Sequence, residues 1–116
     1  MSAVSILPAP NETHVRTVTE RLVAAFDPVQ IIVFGSYARG KARPGSDLDL
    51  LVVLPTVEDK REAAIAMRRV LADLPVPKDV VVTTPEEITH RRGSTWHIVQ
   101  FALEEGKVVY QKPEAT

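Results

Sequence analysis

Between residues 47 and 84 the chain reads as strand, helix and strand, and that order admits few folds. Residues 47–54 become apolar after a second aspartate and stop at Pro55. Residues 58–74 are rich in helix formers, with Ala63 (or Ala64), Met67, Val70, Leu71 and Leu74 on one face. After the connector PVPK, residues 79–84 (DVVVTT) form a β-branched run. A unit of this length favours two parallel strands joined by a right-handed crossover.

The flanks extend the pattern. Asn11 can cap a helix whose apolar positions are Val15, Val18, Leu22, Val23 and Phe26, ended by Asp27-Pro28. Residues 29–34 (VQIIVF) predict a short strand stopping at Gly35-Ser36, and residues 37–42 have room for a helical turn or two before Arg43-Pro44-Gly45-Ser46 breaks the chain. The link between residues 36 and 46 is too short for a crossover, so the first two strands are expected to be antiparallel. Thr84-Pro85-Glu86-Glu87 starts a short helix to about Arg92, with Glu87 completing a capping box. Ser94 or Thr95 starts another helix that stops at Gly106, and residues 107–111 (KVVYQ) form a last strand at an edge. The expectation is an α/β (α+β) domain: one small mixed sheet with helices packed on it. It is a single domain over residues 1–116, with residues 1–10 a loosely ordered tail.

This topology concentrates charge. Residues i and i+2 of a strand share a face, so Asp47 and Asp49 point the same way, roughly 6–7 Å apart along the chain. An antiparallel first pair brings Gly35-Ser36 beside them, and a parallel second pair brings Asp79 to the same end. Three ionised carboxylates a few ångströms apart repel, and without a counter-charge at least one would hold a proton. A hard divalent cation is the natural compensation: Mg²⁺ takes oxygen ligands and bridges carboxylates to substrate phosphates. Two such ions would clamp both oxygens of a phosphoryl-type displacement. Gly35 lets a backbone approach a phosphate, and the N–H and hydroxyl of Ser36 are donors. Arg39 either contacts phosphate or pairs with an aspartate in the metal-free state. Lys41 and Arg43 read as a solvated loop.

The bulk properties restrict what else the chain does. Net charge is −1, so no broad basic field exists for nucleic acid or anionic lipid. There is no cysteine, which removes disulfides, thiolate catalysis and thiolate zinc sites. No apolar stretch is long enough to span a membrane and the N-terminus lacks a signal-peptide pattern, so a cytoplasmic location is expected. Arg68-Arg69 and Arg91-Arg92 read as exposed helix faces, and Trp96 and Phe101 as packing residues. His14, His90 and His97 have no metal-ligand spacing.

Gly35-Ser36, ten residues, then Asp47-x-Asp49 resembles the signature of the DNA-polymerase-β-like nucleotidyltransferase superfamily. The fuller GSYARGKARPGSDLDLLV is similar to its minimal nucleotidyltransferase branch, and the similarity continues through KDVVVTTPEEI into ALEEGKVVY. The resemblance implies the polymerase-β-like fold and Mg²⁺-dependent transfer of AMP from ATP to a hydroxyl. It implies that Gly35, Ser36 and Arg39 face the nucleotide phosphates, and that Asp47, Asp49 and Asp79 are the catalytic carboxylates holding two Mg²⁺ ions. It further implies the antitoxin half of a toxin–antitoxin pair, acting on a tyrosine of a HEPN-domain toxin. Two other readings are a nucleotide-binding module that neutralises its partner by association, and transfer to a small molecule. The relatives that modify small molecules carry extra substrate-binding domains.

Overall fold

In the computed structural model, described over residues 7–114, the hydrophobic pattern resolves into eight elements. They are α1 (Glu12–Phe26), β1 (Gln30–Phe34), β2 (Leu48–Val53), α2 (Lys60–Val70), β3 (Lys78–Thr83), α3 (Pro85–His90), α4 (Trp96–Glu105) and β4 (Lys107–Gln111). The sheet order is β3-β2-β1-β4. As expected from the link lengths, β1 and β2 are antiparallel, β2 and β3 are parallel, and β4 is an edge strand, antiparallel to β1.

Period-2 alternation divides the core. Ile31, Val33, Leu48, Leu50, Val52, Val80 and Val82 face α1 and α2, packing on Val18, Leu22, Met67 and Leu71. Ile32, Phe34, Leu51 and Val81 face the other way, under Val99 and Ala102 of α4. With helices on both faces, β2 is an almost unbroken apolar run, as a central strand requires. Among the described residues, no helix is long and apolar enough to cross a membrane.

The helix ends differ from the sequence pattern where side chains from elsewhere intervene. Asn11 Oδ1 accepts the His14 N–H at 2.9 Å, and His14 Nδ1 accepts the Asn11 N–H at 3.2 Å. A histidine thus takes the place usual for Glu or Gln in a capping box. Thr84 Oγ1 does accept the Glu87 N–H, at 3.2 Å, but the expected box is only half formed. The Glu87 carboxylate instead accepts from Lys60 Nζ at 3.0 Å and Thr83 Oγ1 at 3.2 Å, because an ammonium ion is the stronger partner.

The helix expected over residues 58–74 is shorter at both ends. Asp59 caps it by accepting the Glu62 N–H at 3.1 Å. Beyond Val70 the bonds tighten to Ala72 N–H to Arg69 O and Leu74 N–H to Leu71 O. Lys78 Nζ donates to the Leu71 carbonyl, which thereby accepts twice, and to the Leu74 carbonyl, at 2.7 and 2.9 Å. Lys78→Met should therefore fray the end of α2 and cost about 1–2 kcal/mol. Urea melts and hydrogen exchange at residues 71–74 check this; unchanged protection there would contradict it.

The tail expected over residues 1–10 lies partly outside the described residues. Within them, the Gly45 N–H reaches Pro8 O at 3.5 Å, the long limit of a hydrogen bond. The chain ahead of α1 thus passes beside the loop that leads into β2.

Candidate active site

β1 runs out at Phe34, whose register partner on β2 is Asp49. Asp49 in turn is the register partner of Asp79 on β3. By alternation Asp49 shares the face of Leu51, and Asp79 that of Val81, so both stand on the α4 side of the sheet. Asp47 precedes β2 on the same side and is exposed. The Leu48 N–H donates to Pro77 O at 2.8 Å, which locks the starts of β2 and β3 together.

Gly35 is fitted to Asp49. Its φ is +76°, and a Cβ added there would lie 2.1 Å from Asp49 Oδ2 and 3.1 Å from Asp49 Cγ. The carboxylate is laid against the glycine's bare Cα, so Gly35 supplies both the left-handed backbone and the space. The chain then makes a single turn over residues 36–40, with the Arg39 N–H on Gly35 O at 3.2 Å and the Lys41 N–H on Ser36 O at 2.9 Å. This is a single turn, one of the one or two allowed for over residues 37–42, and it starts one residue earlier. The N–H groups of Ser36, Tyr37 and Ala38 lie ahead of its first closed bond.

Burial first, then the neighbouring charges of Asp79 and Asp47, together push the Asp49 carboxyl up to about 6. Among the described residues no hydrogen bond to the Asp49 carboxylate contributes to that environment. A half-buried carboxylate that lacks a donor and faces two other carboxylates is short of positive charge. An oxygen-only set of this kind fits a hard divalent cation. As the side chains stand, among the described residues no three His, Cys, Asp or Glu are grouped so that they could hold a metal ion. Asp79 is turned instead toward Arg68, whose Nη2 lies 3.4 Å from Asp79 Oδ1.

The structure thus brings together Gly35, Asp49 and Asp79, with Ser36 and Asp47 adjoining. The Arg39 side chain is exposed on the turn, and the arginine that pairs with an aspartate is Arg68. Sequence reading placed Arg68 on a solvated face. The available signal was its position next to Met67, on the flank of α2 that a right-handed crossover lays along β3. Phe101, on α4, meets Phe34 edge-on with centroids 6.2 Å apart and remains 40% exposed. A cavity of about 650 Å³ lies on the opposite face, between α1, the turn and β4. It touches Tyr37 and Gly40 but none of the three aspartates.

Comparison with solved structures finds the same architecture. A crystal structure of a mutant of the toxin-antitoxin MntA-HpeT superposes with a TM-score of 0.62 at 23% identity, covering 89% of this chain and 74% of that one. A crystal structure of a toxin-antitoxin with AMP-PNP gives 0.55 at 23% identity, covering 89% and 75%. The toxin-antitoxin MntA-HepT gives 0.56 at 19%, covering 88% and 74%. At these identities the likeness is one of fold. No curated protein matches the sequence. The model of the nucleotidyltransferase domain family matches residues 15–109, from the first helix to the last strand and across every residue of the site, and the chain belongs to that family.

Proposed function

We propose that this nucleotidyltransferase moves AMP from ATP to a hydroxyl, a tyrosine, of a partner protein, as the antitoxin of a toxin–antitoxin pair whose toxin carries a HEPN domain. The observation that carries the reading is the Asp49 carboxylate set against Gly35 and short of positive charge. The family match and the fold shared with toxin-antitoxin structures, one of them with AMP-PNP, support it.

In this reading Gly35, Ser36 and the N–H groups of the following turn receive the β- and γ-phosphates. Asp47, Asp49 and Asp79 would hold Mg²⁺, which when bound neutralises the charge that develops on the phosphate oxygens. The acceptor oxygen attacks the α-phosphorus in line, and a new P–O bond forms as the bond to the β-phosphate breaks. Pyrophosphate leaves, and the hydroxyl proton passes to Asp79, the carboxylate nearest the acceptor side. Asp47 and Asp79 are both exposed, so the carboxylate shelf is open toward solvent. An acceptor carried on another protein fits an open shelf, because the partner itself then supplies the walls that exclude water.

The test is the intact mass of the partner, the product of the neighbouring gene, after incubation with ATP, Mg²⁺ and this protein. A single AMP-sized increment is expected. It should be lost in Asp47→Asn and Asp49→Asn.

A further inference from the structure

Asp79 and Asp49 stand opposite each other in register on one face of the sheet, so their carboxylates repel. Something must hold Asp79 while no cation is bound. The loop cations were the natural candidates, yet the contact comes from the far side of the sheet edge. Arg68, on α2, reaches around β3 and places Nη2 3.4 Å from Asp79 Oδ1 and 3.5 Å from Val80 O. We propose that Arg68 is a positioning residue that holds Asp79 aside until a divalent cation displaces it, and so sets the cation concentration at which the site assembles. This rests on the reading of the three aspartates as the cation site.

The strength of the contact suits a hold that must be released. A charge-assisted bond at its best is near 2.7–2.9 Å, and the Arg68–Asp79 contact is longer, with side chains 45% and 56% exposed. An ion pair so open to water is weak. A divalent ion bound by Asp49 and Asp47 competes with it easily, because it offers twice the charge where burial has already left Asp49 uncompensated. Release does not strand the guanidinium. Val80 lies on the edge strand β3, and its carbonyl remains as an acceptor once Asp79 has turned away. Arg68 therefore has two acceptors to move between, and Asp79 two sources of positive charge.

Mn²⁺ alone, followed by the electron paramagnetic resonance signal of the free ion, is a suitable probe. Arg68→Gln should lower the Mn²⁺ dissociation constant about three- to fivefold, the range set by a weak ion pair. Arg69→Gln, with the same charge change on the same helix, should change it less than about twofold, because exposed charges further from the site are screened. Arg68→Lys should stay close to wild type. In an Asp79→Asn background, Arg68→Gln should have no further effect. Equal shifts from Arg68→Gln and Arg69→Gln, or a shift that survives in Asp79→Asn, would overturn the role of Arg68 while leaving the cation site standing. No Mn²⁺ binding by the wild type would overturn both. A measurement on the wild type covers the case in which Arg68→Gln does not fold. Mg²⁺ should shift the Arg68 Nε–Hε resonance more than that of Arg69, and an unmoved Arg68 resonance would contradict the proposal.

Discussion

Asp49→Asn should abolish nucleotidyl transfer and, at pH 8, make the protein more stable. The loss of activity is expected to be at least about 10²–10³-fold, the usual scale for removing one electrostatic group from a reacting site. The gain in stability follows from the environment of the carboxyl. Its ordinary value is 3.8, and in the folded protein burial and the charges of Asp79 and Asp47 push it up to about 6. Below about pH 4 both folded and unfolded chains protonate Asp49, and Asn gains nothing. Between pH 4 and 6 the unfolded chain loses the proton first, so the folded wild type binds more protons and loses stability as pH rises. Asparagine removes that fall. The advantage of the variant should appear across this window and level off above pH 6. Solvent screening of a half-buried group limits it to the order of 1 kcal/mol, or about 4 °C in Tm. Melting curves at pH 4 and pH 8 check the sign. An Asp49→Asn protein less stable than wild type at pH 8 would contradict the electrostatic account.

Gly35→Ala should damage both fold and activity, through two causes that can be separated. The first is the backbone: at φ +76° a β-carbon costs roughly 1–2 kcal/mol. The second is the contact with Asp49 Oδ2, 2.1 Å from the new carbon. Nothing but displacement of the carboxylate relieves it. Gly40→Ala is the control, because Gly40 has φ +71° with nothing within 4 Å. Both variants should show the backbone cost, and Gly35→Ala should lose roughly 0.5–1 kcal/mol more, because the atom that must give way is the end of the Asp49 side chain, which can turn aside. In the proposed reading Asp49 takes part in catalysis, and a shift of an ångström at such a group costs on the order of 10²-fold in rate, so Gly35→Ala is expected to lose most of its activity. In an Asp49→Ala background the extra loss of stability should vanish, while activity stays absent. Equal destabilisation by Gly35→Ala and Gly40→Ala would mean that Asp49 does not rest on Gly35.

Strand direction was legible in the sequence because loop length limits it. The short link after Gly35 forces an antiparallel return, whereas the helix between residues 54 and 78 permits a parallel one. The N-caps at Asn11 and Thr84 were legible for the same reason: the chemistry is local. What escaped were pairings of a side chain with a group on another element or on the link between two elements. Glu87 was assigned to its own helix cap, but Lys60 and Thr83 take its carboxylate. The length of α2 depends on Lys78, which claims the carbonyls of Leu71 and Leu74. Asp79 could be placed at the right end of its strand, but its contact with Arg68 could not be seen, since it depends on a helix flank lying over a sheet edge. The close fit of Gly35 under Asp49 was half visible. The glycine and the aspartates stood out as a motif, while the reasons for glycine at position 35 are a positive φ and a short distance to Asp49.

Transfer of AMP to the partner protein is read from the partner's mass after reaction with ATP and Mg²⁺. The wild type should add a single AMP-sized increment, located to a tyrosine by fragmentation, and the Asp49→Asn protein should add none. Neutralisation of the partner to the same extent by wild type and Asp49→Asn, with no change in its mass, would contradict catalysis and leave association alone.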